Sequence, residues 1–139
     1  MIVLDTNVVS EALRPAPSDR VLRWLDAQDP RTLFLTTISL AELLVGAAYL
    51  PPGRRRSDLE GSLASALRHL FGDRILPFGA EAATVLAPMM ARARAEGLQI
   101  GFADGQIAAI AQARGFAVAS RDAAPFAAAG LRLIDPWAA

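Results

Sequence analysis

The chain has 139 residues, 53% of them hydrophobic, and its 14 basic and 14 acidic side chains cancel to a formal net charge of zero. That size suits one domain, taken here as residues 1–139, and the apolar fraction excludes a disordered chain. There is no cysteine, no lysine and one histidine, His69, which excludes disulfides, thiolate or His-rich zinc sites, Walker A loops and Schiff-base chemistry.

The chain opens on a short apolar strand, "IVL", that runs directly into Asp5. "TNVVSEALR" and "SDRVLRWLDAQ" read as helices separated by the prolines of "RPAP". "TLFLTT" reads as a second strand, and "ISLAELLVGAAYL" as an apolar helix stopped by "PPG". "LPPGRRRSD" is the most loop-like stretch, with Arg54, Arg55 and Arg56 expected in a solvated loop or, as the less favoured reading, gripping phosphates without reading bases. "SDLEGSLASALRHLF" is a further helix with Ser57 as its cap; His69 falls inside it and reads as structural or surface. "RILPF" is a short strand. "AEAATVLAPMMARARAEG" is a helix with Gly97 at its end and a kink expected at Pro88. "ADGQIAAIAQARG" is another, closed by Gly115, and "FAVAS" and "LRLID" are the last two strands. Strands alternating with helices predict an α/β fold: a short, mostly parallel sheet covered on both faces. No apolar run reaches the roughly 20 residues a membrane span needs, and the N-terminus lacks a signal-peptide pattern. A cytoplasmic protein without membrane contact is expected.

Four acids fall at corresponding places in this layout. Asp5 ends the first strand, Glu42 is placed in the first turn of the helix after "FLTT", Asp104 in the first turn of "ADGQIAAIAQA", and Asp122 just after "FAVAS". In open α/β sheets ligands bind beyond the carboxyl ends of the strands, so four acids remote in sequence can meet at one rim. Each also has a local reading. Asp is a good N-cap, acids in first turns complement the helix dipole, and Ser39 to Glu42 ("SLAE") fits a capping box. Two things favour convergence. The neighbours of Glu42 and Asp104 are apolar, unlike those of a routine solvated cap. A converging set is also costly alone, because two like charges ~5 Å apart repel by roughly 3 kcal/mol at an effective dielectric of ~20. A divalent cation removes that repulsion, and an all-oxygen donor set suits Mg²⁺ or Mn²⁺.

"VLDTNVVSE", "ISLAELLVG", "ADGQIAAIAQARG" and "VASRDAAPF…AGLRLIDPW" resemble the successive motifs of PIN-domain proteins, in particular ribonuclease toxins of the VapC/FitB type. The resemblance spans Met1 to Trp137. It implies a three-layer α/β/α sandwich with a central sheet of about four or five strands. It also implies that Asp5, Glu42, Asp104 and Asp122 form an acidic Mg²⁺ or Mn²⁺ site that activates water for RNA hydrolysis. Many relatives carry Asn at the position of Asp122 and an acid a few residues later. Here Pro125 or Phe126 stands there, so Asp122 would serve alone. Gly105, where relatives often carry Ala, is expected to loosen its helix start. Thr6 and Asn7 either orient Asp5 or satisfy the helix start. Ser120 either contacts phosphate or ends its strand, and Arg121 either meets a scissile phosphate or pairs with an acid.

The resemblance further implies a small DNA-binding antitoxin as partner, and a homodimer. Two other classes remain open at this point: a weakly active subunit that serves as the protein-binding half of a repressor complex, and an aspartate-nucleophile phosphatase. The second is disfavoured, because Asn7 stands where its second Asp is needed and the chain has no lysine. Trp24 and Trp137 read as packing residues. Leu40, Leu43 and Leu44, with Val85, Leu86, Met89 and Met90, read as core or subunit interface.

Overall fold

The computed structural model describes all 139 residues. Strand β1 (Ile2–Leu4) feeds into α1 (Thr6–Ala12), and α2 (Asp19–Asp26) follows. Beyond a 3₁₀ turn come β2 (Leu33–Thr36), α3 (Thr37–Ala48) and α4 (Arg54–Ala66), which widens into a π turn over Leu67–Phe71. The chain continues through β3 (Ile75–Leu76), α5 (Ala80–Ala95), α6 (Phe102–Arg114), β4 (Ala117–Ala119), α7 (Ala123–Ala128) and β5 (Leu133–Ile134). All strand pairs are parallel, in the order β3-β2-β1-β4-β5. Parallel strands need a crossover between them, and the helices supply it while covering the sheet.

Side-chain alternation along the strands divides the core into two layers. Val3 and Val118, which pair in register, face a cluster built from α5, α6 and α7, including Met89, Ile107, Ile110 and Phe126. Leu4 and Ala119, the next pair, face the opposite cluster with Val8, Val21, Leu35, Leu63 and Phe71. The result is the expected α/β/α sandwich with five strands. The strands are shorter than the apolar runs that announced them: Thr37, Phe116, Ser120 and Asp135 all lie outside. Helix α5 runs unbroken through Pro88. Gly115 adopts φ +70° at the end of α6, the left-handed turn that its residue type favours.

Three local expectations are corrected. The cap of α3 is Thr36, whose Oγ1 accepts from the Ser39 amide at 3.0 Å; Ser39 is therefore inside the helix and Glu42 lies in its second turn, not its first. The start of α4 is Arg54, after Gly53, so the three arginines form a helical first turn rather than a loop, and Ser57 is interior. Cations at a helix N-terminus oppose the dipole, and an i,i+4 pair from Arg56 to Glu60 at 2.8 Å offsets part of that. Finally, Gly105 does not loosen α6. It is buried, and a Cβ there would come within 3.0 Å of Met90 Sδ and 3.2 Å of Leu86 Cδ1, so the missing side chain lets α5 and α6 approach closely.

The reassigned caps make opposite forecasts. Thr36→Ala should cost ~1–2 kcal/mol of unfolding free energy, because it orphans a buried amide. Exposed Ser57→Ala should stay within ~0.5 kcal/mol of wild type. Urea titration of the two variants measures both.

Candidate active site

The strand order reverses at β1, because the chain builds outward to β2 and β3 on one side and later to β4 and β5 on the other. Such a switch point opens a crevice beyond the strand ends. Asp5 and Ser120 are the residues immediately after β1 and β4, and the Asp5 amide still donates to Ala119 O at 2.9 Å. Both are buried, Asp5 at 5% exposure and Ser120 at 0%.

The Ser120 hydroxyl uses its full hydrogen-bonding capacity. Its proton goes to Asp5 Oδ2 at 2.7 Å. Its oxygen accepts from Asn7 Nδ2 and from the Asp122 amide, both at 3.0 Å. Asn7 Oδ1 in turn accepts from the Arg121 amide at 3.4 Å. One donated and two accepted bonds saturate a hydroxyl, so Ser120 and Asn7 lock the β4–α7 turn to the first turn of α1. Asp5 Oδ1 accepts from the Thr6 amide at 2.8 Å. Asp5 is therefore both the cap of α1 and a member of the acidic set. Asn7 reaches Asp5 only through Ser120, and Ser120, posed as a phosphate contact or a strand end, spends its proton on Asp5.

Thr6 reaches the other way. Its Oγ1 lies 2.9 Å from both Glu42 Oε1 and Ser39 Oγ. A hydroxyl has one proton and a carboxylate only accepts, so Thr6 donates to Glu42 and takes a proton from Ser39. Ser39 is fully buried. Its part was missed in the sequence, where the Ser-x-x-Glu spacing made it a cap; the only signal was a hydroxyl within an apolar helix.

The four acids share one electrostatic neighbourhood. Burial is the main force pushing the Asp5 carboxyl above its ordinary pKa, opposed by the Ser120 and Thr6 donors and reinforced by the charges of Asp104 and Glu42. Burial also raises Asp104, with Asp122 and Glu42 adding repulsion. Asp5 and Asp104 thus each feel two other members of the set. Asp122 occupies the N-cap position of α7 but makes no side-chain cap bond, which leaves its carboxylate uncommitted, on an exposed residue. No three acidic or histidine side chains stand close enough to enclose an ion as they lie. The donor chemistry nonetheless fits a hard divalent cation: all oxygen, four formal charges and no competing ammonium group. Arg121, posed as a phosphate contact or the partner of an acid, forms no ion pair, and its guanidinium lies over the Trp137 ring, 4.8 Å from the centroid.

A family model for the PIN domain matches residues 2–131. The chain belongs to the PIN domain family. It is 48% identical to the VapC ribonuclease Y4jK of Sinorhizobium fredii over 137 residues, covering 99% of this chain and 98% of the relative. It is 42% identical to Toxin FitB of Neisseria gonorrhoeae, with 99% of each chain covered. Among solved structures, FitAB bound to an IR36 DNA fragment superposes with a TM-score of 0.93 at 40% identity, over 99% of this chain and 96% of that one. No helix of this PIN domain is long and apolar enough to cross a membrane.

The raised carboxyls give this PIN domain a testable pH response. Below the ordinary carboxylate range Asp104 is protonated folded or unfolded and contributes nothing. As pH rises the unfolded state ionises first, and the penalty is complete above the raised folded value. Asp104→Asn should therefore melt a few degrees higher than wild type at pH 7 and coincide with it near pH ~3, by calorimetry at both. Ser120→Ala removes the donor that holds Asp5 down. The Asp5 carboxyl should then titrate at higher pH in a ¹³C NMR experiment, and an unmoved midpoint would show that the Ser120 bond does not govern Asp5.

Proposed function

We propose that this PIN domain is a divalent-metal-dependent endoribonuclease, the toxin half of a toxin–antitoxin pair. The reading is carried by the placement of Asp5 at the end of β1, held by Ser120 and followed by Thr6, which reaches Glu42 at 2.9 Å, with the charges of Asp104 and Asp122 in the same neighbourhood, adding to the burial that raises Asp5 and Asp104. The similarity to a VapC ribonuclease and to Toxin FitB supports it. Asp5, Glu42, Asp104 and Asp122 would hold one or two Mg²⁺ or Mn²⁺ ions, with exposed Glu42 and Asp122 free to adjust. When bound, such an ion lowers the pKa of a water and offsets charge on phosphoryl oxygens. Ser120 and Asn7 keep Asp5 fixed in orientation, and Thr6 does the same for Glu42. Burial excludes bulk water from the Asp5 side and so strengthens every interaction there.

Beside the acids, a groove of about 860 Å³ runs between α1, α3 and α4, from Thr6 and Glu42 to Leu50, Arg55 and Leu63. Its mixed apolar and charged lining suits a peptide segment, and we assign it to the antitoxin, a small DNA-binding protein by analogy with FitAB on DNA. We assign the homodimer contact to exposed Leu44 and Val45 on α3, Tyr49 just after it and Phe102 at the start of α6.

The test uses purified protein with total RNA and Mn²⁺, beside Asp5→Asn. Wild type should cleave and the variant should lose at least ~10²-fold, the scale of removing a principal charge-stabilising group. Mn²⁺ should also raise the melting temperature of wild type at pH 7 and far less at pH 4, where protons compete for the carboxylates. Equal cleavage by both proteins would mean a contaminating nuclease and end the reading.

A further inference from the structure

The nuclease reading leaves the cation beside the acids, Arg121, without a role. Arg121 sits between Ser120, which holds Asp5, and Asp122. Its backbone amide is tied to Asn7, yet its guanidinium takes part in no ion pair and no side-chain hydrogen bond within the chain. It lies instead over Trp137. Trp137 is itself held on three sides. Its indole packs against the Leu4, Val8 and Val21 cluster, its amide donates to Asp135 Oδ1 at 2.9 Å, and its carbonyl accepts from Arg20 Nη1 at 3.2 Å. A second guanidinium thus meets the same tryptophan.

An exposed cation–π contact contributes only ~0.5–1 kcal/mol, too little to explain the arrangement as a stability device. It does offset part of the ~2 kcal/mol of rotamer entropy of a long side chain, and so biases where the guanidinium lies before a ligand arrives. The guanidinium carbon lies 4.8 Å from the indole centroid, the residue is exposed, and none of its side-chain N–H groups is bonded within the chain. A planar, preorganised cation with unspent donors matches a phosphodiester oxygen pair. Its charge is among those holding the Glu11 carboxyl low, whereas the groups acting on Asp5 and Asp104 are other acids and hydrogen-bond donors. Its backbone stands beside the acidic set, between Ser120, which bonds Asp5, and Asp122.

We propose that Arg121, laid over Trp137, binds the backbone phosphate next to the scissile one on single-stranded RNA, and that Trp137 is the positioning residue that holds it there. This rests on the ribonuclease reading and adds the path of the strand away from the acids. The two are separable by experiment. Binding is measured by fluorescence anisotropy with a short labelled single-stranded RNA, without divalent cation, on protein carrying Asp5→Asn to prevent cleavage. Adding Arg121→Ala should weaken binding roughly tenfold and reduce the slope of log K against log salt by ~0.7. Arg121→Lys should recover part of the slope but not the full affinity, because charge is kept and the stacked fork is lost. Trp137→Phe should bind like its parent, Trp137→Leu should weaken binding while its far-UV circular dichroism stays that of the folded parent, and exposed Arg121→Ala should keep the parent's urea midpoint; normal binding by Trp137→Leu overturns its positioning role. Unchanged affinity and slope in Arg121→Ala overturns the proposal, and so does an absence of RNA binding by the Asp5→Asn parent. If wild type cleaves RNA in Mn²⁺ while Arg121→Ala binds normally, only this inference fails; if wild type cleaves no RNA, the ribonuclease reading fails with it.

Discussion

The site depends on a single buried hydroxyl. Ser120 joins three pieces of chain that no local force would bring together: the carboxylate after β1, the amide side chain in the first turn of α1, and the backbone of the turn after β4. A saturated hydroxyl in a site closed to solvent has no alternative partner, and losing one of its bonds leaves a buried polar group unpaired at ~1–3 kcal/mol. The register of β1 against β4 sets this contact, since Leu4 pairs with Ala119 and the next residues are Asp5 and Ser120. A slip of β1 by one residue would turn Asp5 to the face opposite Ser120.

Around that fixed point the acidic set divides into rigid and adaptable members. Asp5 is buried, twice hydrogen-bonded and unable to move without breaking the cap of α1. Asp104 is half-buried, and Glu42 and Asp122 are exposed. The arrangement costs stability, because desolvation and like charges both oppose ionisation of Asp5 and Asp104. Functional sites commonly carry such a burden and rely on the surrounding fold to bear it. Here two apolar layers bear it, one on each face of the sheet.

Much of the fold was legible from alternation alone. Apolar runs of strand length separated by helical periodicity imply a covered parallel sheet, and the glycine closing α6 marked its boundary. The misread boundaries have local causes. Ser39 and Glu42 have the spacing of a capping box, but Thr36 competes for the same role, and its hydroxyl already stands at the end of β2. Arg54–Arg56 look like loop residues because charge and a preceding Pro-Pro-Gly are loop signals; packing of the α4 stripe, with Leu63 buried, extends the helix over them. Gly105 read as a weakness because propensity counts only the helix it sits in, whereas the deciding contacts come from α5.

The sequence by itself determined which elements form, which acids stand near the strand ends, and that no lysine or cysteine chemistry is available, since composition and periodicity act over a few residues at a time. Only the tertiary structure decided that Ser120 and Asn7 hold Asp5, that Thr6 rather than a capping box orients Glu42, and that Arg121 turns outward onto Trp137. The first of these follows from the lateral order and register of parallel strands, which join residues more than a hundred positions apart; the other two come from helix and terminus packing over shorter separations. Long-range pairing of that kind has no signature in local spacing, because each partner is an ordinary polar residue until the sheet places it opposite the other.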